Sequence, residues 1–447
     1  MRQSAIADKT RQAGVIGAGG AGFPTHVKLS NSCQIVIANG AECEPLLQCD
    51  QQVMFHYGRE MVRGLELAVK ATGASEGIIA LKKKHENVIP VLDQLIASSH
   101  FNLRLFQLGN HYPAGDEQVL VYEVSGRIVP EGGRPGDVGC LVFNVQTLKQ
   151  IAEAQDGIPV TDRIVSVHGQ VADPLTVRVP IGTPVREVAD ACGGLEDEHP
   201  FVLSGGVMMG LPVTLEDGVS RTTSGLYFLP QSHPLARLKR EPIESALNVA
   251  RFACEQCSFC TLLCPRYLLG HDLYPSRIMQ AVGWNAPVSS EIITGAYLCC
   301  ECGLCGVLFA CPLLLSPDRF NGELKKKLGA GGVPNPHKKT IERVREDRDS
   351  RLISVELLIR RLSLCEYDLP SPYEPARLAP ARVRVPLNDH IGSPAVPVVH
   401  LGQAVELGET IAETPAGSLG TTVHASISGA VTGIAEDVIQ ISAKDSL

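Results

Sequence analysis

The chain has 447 residues, 44% hydrophobic and 20% charged, with a formal charge of -8. That length is about three ordinary domains, and the composition is that of a globular protein, so one small domain and a disordered chain are both excluded. The charge is mild and its Lys and Arg are not massed into a stripe, which leaves nucleic-acid binding without an electrostatic basis, and no apolar run approaches the roughly 18 residues of a membrane span.

The first residues, MRQSAIADKTRQ, carry no apolar run after their charges, so no export signal is expected and the chain is placed in the cytoplasm. Residues 1–160 alternate Gly-rich turns, short β-branched runs (Gln34–Ala38, Gly77–Leu81) and helix-like segments such as Met54–Thr72, which reads as an α/β unit suited to a nucleotide-type ligand. Near its start stands Gly17-Ala18-Gly19-Gly20-Ala21-Gly22-Phe23-Pro24, formally G-x-G-x-x-G. Only Val15 and Ile16 precede it where a Rossmann fingerprint needs a buried strand, so taken alone the glycines also fit tight turns. Pro24 suits the first turn of a helix whose free N–H groups face a phosphate.

From Asp162 the pattern becomes short strands, IVSVHGQV and LTVRVP, and then a helix-like PVREVADACG, as in a β-grasp module over 161–240. Residues 241–330 hold nine of the fifteen cysteines on helix-like sequence, so metal ligands are expected to organise this segment as much as its core does. A charged stretch, His337–Arg361, reads as a helix with a solvated basic face within a helical linker, 331–380. The last segment, 381–447, has regular short strands separated by Gly and Pro and reads as a compact all-β module.

The most specific motif is Cys254-x2-Cys257-x2-Cys260-x3-Cys264-Pro265, the spacing with which bacterial ferredoxins hold a [4Fe-4S] cluster. Closely spaced thiolates on one loop reach separate irons of one cluster, while the fourth cysteine normally serves the other cluster. A second set, Cys299-x2-Cys302-x2-Cys305, is followed by Cys311-Pro312 after five residues instead of three, and Cys300 is an additional thiol able to stand in for Cys299. By the crossed rule, Cys254, Cys257, Cys260 and Cys311 serve one cluster, and Cys264, Cys299, Cys302 and Cys305 the other. Two four-thiolate zinc sites are the alternative, but they leave the third cysteine of each triplet unexplained. Cys33, Cys43, Cys49, Cys140, Cys192 and Cys365 are scattered and read as inert thiols.

The blocks GAGGAGFPTHVKL and IANGAECEP resemble the flavin-binding subunit of respiratory complex I and the C subunits of Rnf-type electron-transport complexes. The resemblance implies an FMN and NADH loop in which Gly17, Ala18, Gly19, Gly20, Gly22 and Lys28 meet the flavin and Phe23 lies beside NADH. It adds Asn39 and Glu42 from the second block, Tyr112, Asp116 and Glu117 from YPAGDE, and Asn144 and Thr147 from NVQT. Ala18 and Ala41 stand where the complex I version has an arginine and an acid. Hydride passes directly from nicotinamide to flavin, so no general acid or base is implied.

Residues 162–212 likewise resemble the soluble-ligand-binding β-grasp (SLBB) domain of these proteins, and the C-terminal segment resembles the barrel-sandwich hybrid of Rnf-type C subunits. Its hairpin turn, Ser426-Ile427-Ser428-Gly429, lacks the lysine of a swinging arm. The implied fold is therefore a multidomain α/β chain: an FMN/NADH-binding domain, an SLBB β-grasp, a helical ferredoxin-like two-cluster domain and a barrel-sandwich hybrid. With the hybrid last, the order resembles the cobalamin reductases of propanediol-utilising bacterial microcompartments. That implies NADH-dependent reduction of a cobalamin substrate, with a cobalamin adenosyltransferase and shell proteins as partners inside the microcompartment. No D-x-H-x-x-G element supplies a histidine to cobalt, and His390 reads as a loop or core residue. The other readings are an electron-input subunit for a ferredoxin, quinone or membrane complex, and a metal-stabilised scaffold.

Overall fold

Short, uninterrupted apolar runs are the mark of strands covered on both faces. In the computed structural model, which describes residues 3–443 apart from 285 and 307, Ile35–Gly40, Glu76–Lys82, Leu103–Leu108 and Cys140–Asn144 form a parallel four-stranded sheet. Ile35–Gly40 lies between Glu76–Lys82 and Cys140–Asn144, and Asn39 pairs in register with Asn144 at the carboxyl edge. One face packs on helices Gly58–Thr72 and Val145–Gln155 through Met61, Leu65, Leu148 and Ile151; the other packs on Glu117–Ser125 through Leu120, Val121 and Val124. The two helices on the first face approach so closely that a Cβ on Gly64 would stand 1.8 Å from the Leu148 carbonyl oxygen. No strand leads into the glycine loop: it follows helix Gln3–Gln12 and enters only the short helix Thr25–Leu29.

The β-grasp unit is a six-stranded sheet in the order Tyr373–Arg377, Thr176–Pro180, Asp162–Gly169, Gly225–Leu229, Phe201–Ser204, Leu211–Val213. Its core is β-branched, with Val165, Val167, Val177 and Val179 meeting Val185 and Val188 of helix Val185–Asp190. The ferredoxin-like segment is helical, with Ile243–Ala253, Pro275–Trp284 and Pro317–Ala330 around two small cores.

The expected helical linker over 331–380 is mostly extended. Gly332 takes φ +68° and Pro334 and Pro336 follow, so the preceding helix stops, and the only α-helix beyond it in this stretch is Val355–Arg361. Its basic residues are solvated in part, with Lys338, Arg343, Arg360 and Arg361 exposed, but others make ion pairs between units. Lys339 pairs with Asp272 at 2.7 Å and Arg348 with Glu123 at 2.6 Å, and Ile353–Ser354 pairs with His111–Tyr112, so the segment straps the ferredoxin-like unit to the flavin unit. It ends as the edge strand of the β-grasp sheet.

The C-terminal unit is a sandwich of a four-stranded and a three-stranded sheet around Val383, Val385, Ile411, Val431, Ile439 and Ile441. Its turn residue Ser426 is buried and donates to the Ile181 carbonyl at 2.5 Å, so this hairpin is pinned to the β-grasp unit.

Candidate functional site

The glycine loop is closed on itself: Gly17 N–H donates to the Phe23 carbonyl at 2.8 Å and Gly22 N–H to the Gly17 carbonyl at 3.2 Å. Gly20 and Gly22 take φ +102° and +63°, a region that side chains other than glycine's enter at a cost. The loop is held from beneath at Ala18, whose N–H donates to Thr147 Oγ1 at 2.8 Å and whose carbonyl accepts from Arg163 Nη2 at 2.8 Å. Gly19, Gly20 and Ala21 are exposed, and among the described residues their N–H groups have no protein acceptor. Phe23 is half-buried beside them.

Behind the loop lies a buried polar cluster. Asn144 caps helix Val145–Gln155 through Gln146 N–H at 2.8 Å and donates to Asp50 Oδ2 at 2.8 Å. The Glu42 carboxylate accepts from Asp50 N–H at 2.6 Å and Gln51 N–H at 3.2 Å, and Lys82 donates to its carbonyl at 3.1 Å. Burial raises the Glu42 carboxyl, with the neighbouring Asp50 charge adding to the effect, and burial pushes Lys82 down to about 8. Asn39 donates to the Gly115 carbonyl at 2.9 Å, tying the strand end to the YPAGDE segment. Lys28 sits at the rim, donating to Glu117 Oε1 at 2.7 Å and the Val142 carbonyl at 2.9 Å, with its side chain about a quarter exposed.

Two residues expected at the flavin are engaged elsewhere. Tyr112 is 2% exposed and its hydroxyl donates to the Cys302 carbonyl at 2.6 Å. Asp116 caps helix Glu117–Ser125 and accepts from Arg266 at 2.6 and 2.9 Å, with both side chains nearly buried. Both join the flavin unit to the cysteine segment. Burial alone would lower the Arg266 guanidinium, but the Asp116 charge outweighs it and holds it above its ordinary value.

The cysteines ring two cavities. Cys254, Cys257, Cys260 and Cys311 line one; Cys264, Cys299, Cys302 and Cys305, with Cys300, line the other. The longer Cys305-to-Cys311 arm therefore changes the path without changing the ligand count. The two loops repeat one backbone pattern, with left-handed residues at Gln256 (φ 57°) and Ser258 (65°) in the first and at Glu301 (56°) and Gly303 (77°) in the second. Non-glycine residues in that region each cost about 1 kcal/mol or more, and they recur here where the chain must wrap its sulfurs inward. The repeat aligns Cys299 with Cys254, and Cys299 Sγ accepts from Glu301 N–H at 3.3 Å, while Cys300 lines the same cavity. Among the described residues no three His, Cys, Asp or Glu are placed to hold a single metal ion.

The chain is 41% identical to cobalamin reductase PduS of Salmonella typhimurium over 438 residues, covering 98% of this chain and 96% of that protein, and 40% identical to cobalamin reductase PduS of Citrobacter freundii over the same extent. It belongs to the PduS family of cobalamin reductases. Four domain families match along this PduS-family chain: the Nuo51 FMN-binding domain over 10–153, the SLBB domain over 164–212, a 4Fe-4S dicluster domain over 253–316 and the RnfC barrel sandwich hybrid domain over 373–446. The last match begins at residues that pair with the β-grasp sheet. The C subunit of the Na(+)-translocating ferredoxin:NAD(+) oxidoreductase complex of Acetobacterium woodii is 36% identical over 275 residues, 60% of this chain and 59% of that one.

The cofactors of this PduS-family oxidoreductase are FMN and two [4Fe-4S] clusters, and the residues fit them. The free N–H groups of Gly19, Gly20 and Ala21 and the Lys28 ammonium offer donors to an anionic cofactor, and the eight thiols fall into two sets of four around separate cavities. When bound, FMN supplies the conversion of a two-electron donor to one-electron steps. The residues that sequence reasoning passed over, Asp50, Arg163 and Arg266, are the ones that position others. Arg163 is 1% exposed near the start of strand Asp162–Gly169, whose mixed sequence, with Asp162, Ser166 and His168, gives no signal that the arginine is buried.

Proposed function

We propose that the chain takes electrons from NADH and delivers them singly to cobalamin, reducing cob(III)alamin to cob(II)alamin and then cob(I)alamin in support of adenosylcobalamin regeneration during propanediol degradation. The observation that carries this reading is similarity over nearly the full length to two cobalamin reductases, with one of the two cysteine cavities bonded directly to the flavin unit. Gly17, Ala18, Gly19, Gly20 and Gly22 cradle the flavin, Phe23 lies beside NADH, and Lys28 with Glu117 closes the edge. Asn39, Glu42, Asn144 and Thr147 fix the cradle from behind. Tyr112 and Asp116 act through the cysteine segment. Each of these residues binds or orients, since hydride transfer needs no acid or base.

The partners in this reading are a cobalamin adenosyltransferase, which takes up the reduced corrinoid, and microcompartment shell proteins around both. No helix among the described residues is long and apolar enough to cross a membrane. Similarity to a C subunit of the Rnf type supports one second reading, electron input to a ferredoxin, quinone or membrane complex. Anaerobic reconstitution with FMN, iron and sulfide, followed by NADH and hydroxocobalamin, separates the two: cob(II)alamin and cob(I)alamin spectra are expected. Reduction of ferricyanide without any change at cobalt would discard the corrinoid and keep the electron path.

A further inference from the structure

The two cysteine cavities face opposite surroundings. Cys264, Cys299, Cys302 and Cys305 are buried, and their loops are bonded to the flavin unit through Tyr112 and Asp116. Cys257 of the other set is exposed, and beside the polar Glu255, Gln256 and Ser258 its flanking residues include large apolar side chains open to solvent. Phe252, two residues before Cys254, is 93% exposed; Phe259, between Cys257 and Cys260, is 50% exposed; Leu314, three residues after Cys311, is 51% exposed. Leu313 lines the cavity itself. Trp284 donates its indole N–H to the Arg251 carbonyl at 2.6 Å, next to Phe252 in the chain. Single exposed apolar residues are ordinary, but one thiol set here has Leu313 lining its cavity and Phe252, Phe259 and Leu314 within three residues of its cysteines, and apolar surface concentrated in this way marks contact sites. The two cavities are also neighbours, since Val282 packs both against the small core that holds Cys264 and Cys299 and against the one beside Cys254 and Cys311.

We propose that Phe252, Phe259, Leu313 and Leu314 form the acceptor platform, on which the flat face of a corrin ring lies beside the outward thiolates; the proposal rests on the corrinoid reading above. Two features favour a corrin over another occupant. The aromatic and branched side chains offer a broad apolar surface to a macrocycle, and Glu255 with the thiolate set gives that surface a negative field, whereas oxidised cobalamin carries positive charge at cobalt. No histidine lines the cavity, so cobalt gains no protein ligand there and is reduced across a contact, not through a bond. The balance is simple. One NADH releases two electrons and one proton; the first electron takes Co(III) to Co(II) with loss of the upper water or hydroxide, hydroxide leaving as water with that proton; the second takes Co(II) to Co(I) with loss of the lower base.

The test uses the reconstituted full-length holoenzyme with Phe252→Lys and Phe259→Lys, both at exposed positions, which remove apolar surface and oppose the negative field together, and with Phe252→Leu as the conservative control. Hydroxocobalamin binding to the oxidised enzyme is followed by equilibrium dialysis, beside KM for cobalamin, ferricyanide turnover and the electron paramagnetic resonance of the NADH-reduced clusters. The lysine variants are expected to weaken binding and raise KM at least tenfold, with the cluster signals and ferricyanide turnover unchanged and Phe252→Leu close to wild type. Unaltered binding and KM in the lysine variants, with wild type reducing cobalamin, overturns the platform alone. Loss confined to a protein-bound corrinoid, with free hydroxocobalamin unaffected, also overturns it and makes the patch a protein contact. Wild type that reduces ferricyanide but no corrinoid overturns the acceptor reading and the platform with it.

Discussion

Cutting the Asp116–Arg266 pair is the sharpest way to separate electron transfer between units from flavin binding. Asp116→Asn keeps the helix cap to Gln118 and Val119, because asparagine caps as well as aspartate. What it removes is the charge, leaving the Arg266 guanidinium nearly buried with only a neutral partner at 2.6–2.9 Å. Removing one partner from a buried pair costs about 3–5 kcal/mol, and at about 1.4 kcal/mol per power of ten that loosens the docking of the two units by about two to three and a half powers of ten. Stopped-flow absorbance on the reconstituted protein reads both halves: NADH-driven flavin reduction is expected to persist, bleaching of the cluster band to slow, and the thermal midpoint to fall. Adding Arg266→Met is expected to recover much of the stability, since no buried charge is then left alone. If Asp116→Asn instead lost FMN while cluster bleaching and stability held, Asp116 would face the cofactor and the pair would be incidental.

Lys28→Ala removes a charged donor at the loop rim and is expected to weaken FMN retention about tenfold or more, the scale of one charge-assisted bond; equal flavin content after gel filtration counts against the loop assignment. Cys299→Ser is expected to cost about half of the bound iron and Cys300→Ser none, by metal analysis, the reverse result exchanging their roles. Burial, foremost, pushes His85, His168, His271 and His424 down to about 4 from an ordinary 6.5, so the stability they lend is complete above pH 6.5 and is lost as pH falls through 4. Denaturant midpoints are expected to drop across that window and His424→Gln to flatten part of the slope; a midpoint constant from pH 7 to 4 refutes it.

The parts of the molecule that could be read beforehand are those fixed by local chemistry. Cysteine spacing sets loop geometry within a dozen residues, and continuous β-branched runs fold as buried strands wherever they stand, so the two thiol sets and the parallel sheet were legible. Tyr373–Arg377 was not: its exposed, Pro375-containing sequence looks like linker, and it becomes a strand only because edge positions tolerate proline and polar faces. The basic run 337–361 reads as a helix face for a similar reason, its partners Asp272 and Glu123 lying in other units. The resemblance implied flavin contacts for Tyr112 and Asp116, whereas their side chains bond Cys302 and Arg266, positions that only tertiary contact brings within reach.

The hybrid unit stands last in the sequence, yet it packs where the chain begins. Ile391 N–H of the hybrid unit donates to the Gly22 carbonyl at 3.0 Å, and Thr421 Oγ1 donates to the Arg11 carbonyl at 3.0 Å, so the last unit rests on the first loop. From the β-grasp unit, Arg221 donates to the Gly14 carbonyl at 3.0 Å and pairs with Asp389, and although burial alone would raise that carboxyl, Arg221 holds it well below the usual carboxylate range. His390 lies buried in the same contact, bonded to Ser393, which is the role of a core histidine. Units tolerate reordering along a chain when the segments to be rejoined already lie together. Residues 11–22 and 389–421 do lie together, so the unit that stands last in the sequence packs against the glycine loop that opens the first.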